Sequence, residues 1–189
     1  MSYQAIAIHL RSDAEKLTQS SVEITTAFDI AFGPIVDAPD LIQAEGQQSP
    51  VSIKFTVVVA QFGDVALMLD VEVTRGIGVL ARNEYDLSPA TIEQYLDHHS
   101  NGLAILGTAA GPDDWRAVTP EILTQILNSL AERYEYVLID TPGSVNEVVE
   151  AALTAADLIV LVTSRDVSSV KDARATIAIL DGWGVARDR

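Results

Sequence analysis

The sequence contains no cysteine. That excludes a disulfide framework and any thiolate metal site, and it leaves the redox compartment unread. Cations are scarce as well: 12 Lys and Arg stand against 27 Asp and Glu, for a formal net charge of −15. A surface of that sign repels phosphate backbones and anionic lipid alike, so direct nucleic-acid binding is not expected. No stretch approaches the roughly eighteen apolar residues that a membrane-crossing helix requires. The opening MSYQAIAIHL lacks a charged region leading into an apolar core, as a secretory leader would have. The expectation is a cytoplasmic protein without a transmembrane segment.

What is present suits a folded chain. Hydrophobic residues make up 48% and charged residues 21% of 189 positions, ordinary values for a globular protein of one domain, or one domain with an appendage. Val137, Leu138 and Ile139 form an apolar run that is too short for a helix and fits a strand covered on both faces. Asp140 ends the run, and Thr141-Pro142-Gly143 breaks the backbone. Ser144 is then expected to cap a helix with Val145, Val148, Val149, Ala152 and Ala155 on its apolar side, and Leu158 to Val162 form the next buried strand. Strand, crossover helix and strand make a βαβ unit, whose ligands sit beyond the carboxyl ends of the strands. Asp140 lies at such an end. One reading makes it an acid that holds magnesium through water beside phosphates. The other makes it a residue that simply enters a turn.

The stretch YVLIDTPGSVNEVVEAALTAADLIVLVT resembles the Walker B region of the MinD/ParA superfamily of deviant-Walker P-loop ATPases. Its Asn146-Glu147 pair is most similar to the CpaE/TadZ branch. Residues 61–80, QFGDVALMLDVEVTRGIGVL, resemble the segment that follows the deviant Walker A′ strand in CpaE-type proteins, which implies a short helix over VALML. The likeness covers about residues 57–184. It implies a P-loop-type fold, ATP and Mg2+ as cofactors, Asp140 in the magnesium shell, and Thr141, Pro142 and Gly143 as the switch that senses the terminal phosphate. It also implies partners in a pilus or secretion apparatus at the membrane, and a homodimer.

The family's glycine-rich KGGxGK[ST] turn is absent. RSDAEKLT at 11–18 follows a strand and contains Lys16, but it has no glycine and places Asp13 and Glu15 where amides would have to approach phosphate. Val58, Val59 and Ala60 stand where the Walker A′ acids would be. Hydrolysis is therefore expected to be lost or impaired. The alternatives are a nucleotide-independent interaction module with the same fold, or a partitioning or cell-division ATPase.

The remaining expectations concern architecture. A three-layer α/β domain with a mostly parallel sheet and helices on both faces is expected, with strands near 51–60, 102–107, 135–140 and 157–163, and a further one at 3–10. Residues 1–50 read as a poorly patterned segment, and 51–189 as the ATPase-like domain, truncated at its C-terminus. Ser88-Pro89 starts a helix with Ile92, Tyr95 and Leu96 inward, ended by His98-His99. Pro120 starts another, with Ile122, Leu123, Ile126, Leu127 and Leu130 on one face. Ser168-Ser169 are expected to cap a third with Val170, Ala173, Ile177 and Leu180 inward, ended by Gly182 and Gly184. Asp70 reads as a solvated loop acid, and Trp115 and Arg116 as surface residues. With no phosphate present, the Asp140 strand end is expected to be open to solvent. Its carboxylate would then be met by water, by the amides of the turn or by Arg165, and Asp140→Asn would change stability by about 1 kcal/mol or less.

Overall fold

The computed structural model describes residues 4–10, 55–59, 65–83, 85–100, 102–108, 116–134, 136–163 and 165–187. The phosphate-loop candidate at 11–18, Ala60, the QFGD turn and Trp115 lie outside them, whereas Val58 and Val59 lie within. Six strands form one sheet: β1 (Gln4–Leu10), β2 (Phe55–Val59), β3 (Asp97–His98), β4 (Ala104–Leu106), β5 (Tyr136–Asp140) and β6 (Leu158–Val162). Their spatial order is β3-β4-β2-β5-β1-β6. β2 pairs parallel with β4 and with β5, whereas β1 runs antiparallel to β5 and β6, and β3 antiparallel to β4. Four strands thus share one direction in a mixed sheet, and the fold is α/β.

Strand side chains alternate between two cores, as the period of two requires. Val137 and Ile139 of β5, with Ala104 and Leu106 of β4, enter one cluster; Tyr136 and Leu138, with Leu103 and Ile105, enter the other. The first cluster is roofed by helices α2 (Ile77–Asn83), α3 (Pro89–Ile92), α4 (Pro120–Ala131) and α5 (Glu147–Ala155), and by the end of α6 (Val167–Gly182). Among the described residues the second is met by the short helix α1 (Val65–Met68) and the loop carrying Val71 and Val73.

The α4 helix forms where expected. Pro120 sits in its first turn, the Thr119 hydroxyl accepts from the Ile122 amide at 3.3 Å, and Leu123, Ile126, Leu127 and Leu130 are buried. The α3 helix likewise starts after Ser88, and Ile92, Tyr95 and Leu96 are buried. The two histidines do not end it, however. Leu96 is already extended, and His98 belongs to β3. Asp97 fixes that strand by accepting from the Thr74 amide at 3.1 Å and the Thr74 hydroxyl at 2.8 Å.

Two caps and one stripe differ from expectation. Helix α5 is capped by Asn146, not Ser144: the Asn146 side-chain oxygen accepts from the Val148 amide at 3.0 Å and the Val149 amide at 2.9 Å. Val145 stays outside the helix and is exposed. Helix α6 is capped by Asp166, whose carboxylate accepts from the Ser169 amide at 2.9 Å and the Ser169 hydroxyl at 2.7 Å. Its inward stripe is Ser169, Ala173, Thr176 and Leu180, while Val170 and Ile177 are 48% and 42% exposed. The hydroxyls tolerate burial because they are satisfied locally, that of Thr176 by donating to the Asp172 carbonyl at 3.0 Å. The helix ends as expected. Gly184 adopts φ +77°, its amide donates to the Asp181 carbonyl at 3.1 Å, and the Val185 amide donates to the Leu180 carbonyl at 3.0 Å.

Candidate functional site

Asp140 is the last residue of β5, which has β2 on one side and β1 on the other; Val59 and Ile6 are its cross-strand neighbours. Chain connectivity reverses between β2 and β5. From β2 the chain goes to β4 on one side, and from β5 it goes to β6 on the other. In open α/β sheets that reversal opens the crevice in which ligands bind. Asp140 therefore stands at the switch point.

The strand end is not open to solvent. Asp140 is 2% exposed and Thr141 1%, so the expectation of a solvated carboxylate fails. Its Oδ2 accepts no hydrogen bond, the residue being engaged through other atoms. Beside the turn that follows, Thr141, Pro142, Ser144 and Val145 line a notch together with Val149 and Leu153 of α5, Thr176 and Ile179 of α6, and Trp183 at the C-cap of α6. The notch left between them encloses about 10 Å³, space for no more than about one water.

The acid side of this arrangement fits a magnesium ion held through water. A buried carboxylate with an oxygen open to a further donor ends the central strand, and Thr141, Pro142 and the exposed Gly143 follow it as a loop. Among the described residues the phosphate side is not supplied. A loop that cradles phosphate at this rim must follow a strand running in the direction of β5; β2 does so, but the residues that follow it lie outside those described. β1, on the other side of β5, runs the other way: Gln4 pairs with Val162 at the rim, and Leu10 pairs with Tyr136 at the far edge. The chain leaves β1 on the side away from Asp140.

Other flagged residues separate from the site. Asp70 is exposed with φ +53°. His98 is exposed in β3, with its Nε2 3.7 Å from the Glu93 carboxylate. Among the described residues no group of three or more His, Asp or Glu side chains is placed to hold a metal, and no helix is long and apolar enough to cross a membrane. The contribution that sequence reasoning missed is α6. Its Thr176 and Ile179, with Trp183 at its C-cap, line the notch beside the turn, and the hint was a large aromatic just before the terminating Gly184.

Comparison with known proteins gives a consistent neighbourhood. The AAA domain family AAA_31 matches residues 114–180. Septum site-determining protein MinD of Bacillus subtilis is 32% identical over 85 residues, 45% of this chain and 32% of that protein. MinD of Helicobacter pylori is 25% identical over 138 residues, 73% of this chain and 50% of that one. The chain thus spans about a third to a half of these relatives. Among solved structures, a ParA family ATPase from Chlorobium tepidum superposes with TM-score 0.66 and 17% identity, covering 86% of this chain and 62% of that one. The septum site-determining protein MinD of Pyrococcus horikoshii, complexed with Mg-ADP, gives TM-score 0.58 and 22% identity, covering 70% and 54%.

Proposed function

We propose that this chain, which is similar to MinD and ParA ATPases, is a MinD-type positioning protein that works through a binding surface rather than through nucleotide turnover. The observation that carries this reading is the pairing of a buried Asp140-Thr141 rim with an antiparallel β1 beside it. The magnesium half of the family site is kept, and the phosphate half is not supplied by the neighbouring strand. Transition-state stabilisation in phosphoryl transfer comes from backbone amides and lysines set around the phosphates. Asp140, with Thr141, Pro142 and Gly143, would hold Mg2+ and ATP only weakly in isolation.

Such a protein acts by recruiting others, and we assign it to the cytoplasm, peripheral to the inner membrane through its partners. Residues 51–189 are the proposed ATPase-like unit. The CpaE/TadZ likeness to a Flp/Tad-type pilus or secretion apparatus rests on Asn146-Glu147 and on residues 61–80, whose QFGD turn lies outside the described residues. Asn146 is a helix cap, a role any member with a helix there can fill, so a septum or partitioning assembly suits the chain equally. Nucleic acid is a poor partner for a net charge of −15.

The test is turnover together with binding. Purified protein is expected to show no Mg2+-dependent ATP hydrolysis above background. Robust hydrolysis that Asp140→Ala abolishes would overturn the proposal. Co-purification then sorts the partners, pilus and secretion components on one side and division or partition components on the other.

A further inference from the structure

The sequence holds four asparagines, and one of them differs in its setting from the rest. Asn83 ends α2, Asn128 lies within α4, and Asn146 caps α5, its side-chain oxygen accepting from the Val148 and Val149 amides. Each is followed by a residue with a side chain, Glu84, Ser129 or Glu147, which crowds the asparagine before it. Asn101 is followed by Gly102, in the connection from β3 to β4. The Gly102 amide donates to the His99 carbonyl at 2.9 Å and the His99 amide to the Leu103 carbonyl at 2.9 Å, which closes a tight turn with Gly102 at φ +93°. Glycine takes that conformation at little cost, so the turn accounts for the residue. It also leaves Gly102 exposed, with nothing within 4 Å of where a Cβ would stand.

We propose that Asn101 is a site of spontaneous covalent modification, deamidation through a succinimide, and that the hold on β3 sets its rate. The Gly102 amide nitrogen loses its proton and bonds to the side-chain carbonyl carbon of Asn101; the bond from that carbon to the side-chain nitrogen breaks, and ammonia leaves with the proton. Water then opens the ring at either carbonyl, to aspartate or to isoaspartate. Only water is consumed, and no other reactant is needed. In the closed turn the attacking nitrogen is committed to the His99 carbonyl, so the reaction runs through opening of the hairpin. That opening is local, because β3 has only two residues and lies at one end of the described sheet. Asp97, which accepts from the Thr74 amide and hydroxyl, holds β3 to the loop before α2. The product gains a negative charge, and isoaspartate also adds a methylene to the backbone, which shifts the register that closes the turn. The reaction involves neither Asp140 nor nucleotide, so it stands apart from the functional reading above.

The test is incubation of the purified protein at neutral pH, below its unfolding temperature, beside a synthetic peptide of residues 97–104. Tryptic mass spectrometry locates the conversion, and isoaspartyl methyltransferase labelling measures the isoaspartate. Conversion is expected at Asn101, more slowly than in the peptide, with Asn83, Asn128 and Asn146 intact. Thr74→Val removes the hydroxyl hydrogen bond to Asp97 and is expected to speed conversion by about two- to tenfold, the effect of one hydrogen bond. Asp97→Asn, which weakens the same tie without changing its shape, should act in the same direction. Urea denaturation sets conditions under which each variant is folded, so that a faster rate reports the hairpin and not the whole chain. An intact Asn101 while the peptide converts, equal conversion at the other asparagines, or a rate that neither variant changes would each overturn the proposal.

Discussion

A carboxylate withdrawn from water raises the free energy of the fold that holds it unless a cation or donors replace the lost solvation, and Asp140 is such a group at the end of the central strand. Its position was legible in the sequence because an apolar run stops at an acid before a Pro-Gly turn. Its burial was not. Thr176, Ile179 and Trp183, which line the notch beside the turn after Asp140, lie on and just after a helix some way along the chain, and composition does not say what packs on what. The stability change expected of Asp140→Asn alters accordingly. The residue is engaged within the fold, so replacing its buried carboxylate by an amide should lower stability by about 1–3 kcal/mol. Urea denaturation at neutral pH measures it, and a gain of stability would show that the carboxylate is held uncompensated. Tyr134 carries the clearest pH dependence. Burial, with the Glu93 carboxylate that its hydroxyl meets at 3.3 Å, pushes its pKa up to about 12. A raised acid favours its neutral form in the fold, so its contribution is complete below the ordinary tyrosine range and is lost as pH rises through about 12. Tyr134→Phe should flatten the stability profile between roughly pH 10 and 12, measured by denaturation across that interval. Gly107 is constrained by space, since an added Cβ would lie 2.5 Å from Val73 Cγ2.

At the scale of elements, the hydrophobic period placed α4 and its buried leucines and isoleucines, and it placed the strands that become β4, β5 and β6. It placed the face of α6 less well. Hydrophobicity pointed to Val170 and Ile177, while the residues just before them, Ser169 and Thr176, are buried together with the expected Ala173. Small and hydroxyl-bearing residues let the helix lie close to its neighbours, and their polar atoms bond within the helix itself. A pattern read from apolarity alone cannot rank such residues as core. Ile177→Lys should therefore change stability by no more than about 0.5 kcal/mol, and Thr176→Lys should cost at least about 2 kcal/mol. Thermal melts of the pair decide which face is inward. The caps follow the same logic. Asn146→Ala and Asp166→Ala each remove a side-chain acceptor from two hydrogen bonds and should each cost about 1 kcal/mol, whereas Ser144→Ala, which the turn signal favoured as a cap, should be close to neutral. Equal losses at all three sites would contradict the capping geometry.

At the scale of the molecule, the α/β class was legible from alternating strands and helices, and strand direction was not. Periodicity reports which faces are covered, and it is the same for a strand read either way. The direction of β1 decides whether this chain builds a phosphate site beside Asp140, so it is the feature most worth measuring. The absence of cysteine makes the measurement clean, because any disulfide formed is the one introduced. Gln4 and Val162 are cross-strand partners at the rim, where antiparallel Cα atoms stand about 4.5–5.5 Å apart, within the span of a disulfide. Oxidation of a Gln4→Cys, Val162→Cys variant should give an intramolecular crosslink in good yield. Leu10 pairs instead with Tyr136 at the far edge, several residues of strand away at about 3.4 Å each, so Leu10→Cys with Val162→Cys should give none. If β1 ran parallel to β6, as a strand leading into a phosphate loop must, the two results would exchange. A crosslink from position 10 and none from position 4 would return residues 11–18 to the rim beside Asp140, and with them the case for nucleotide binding in this chain.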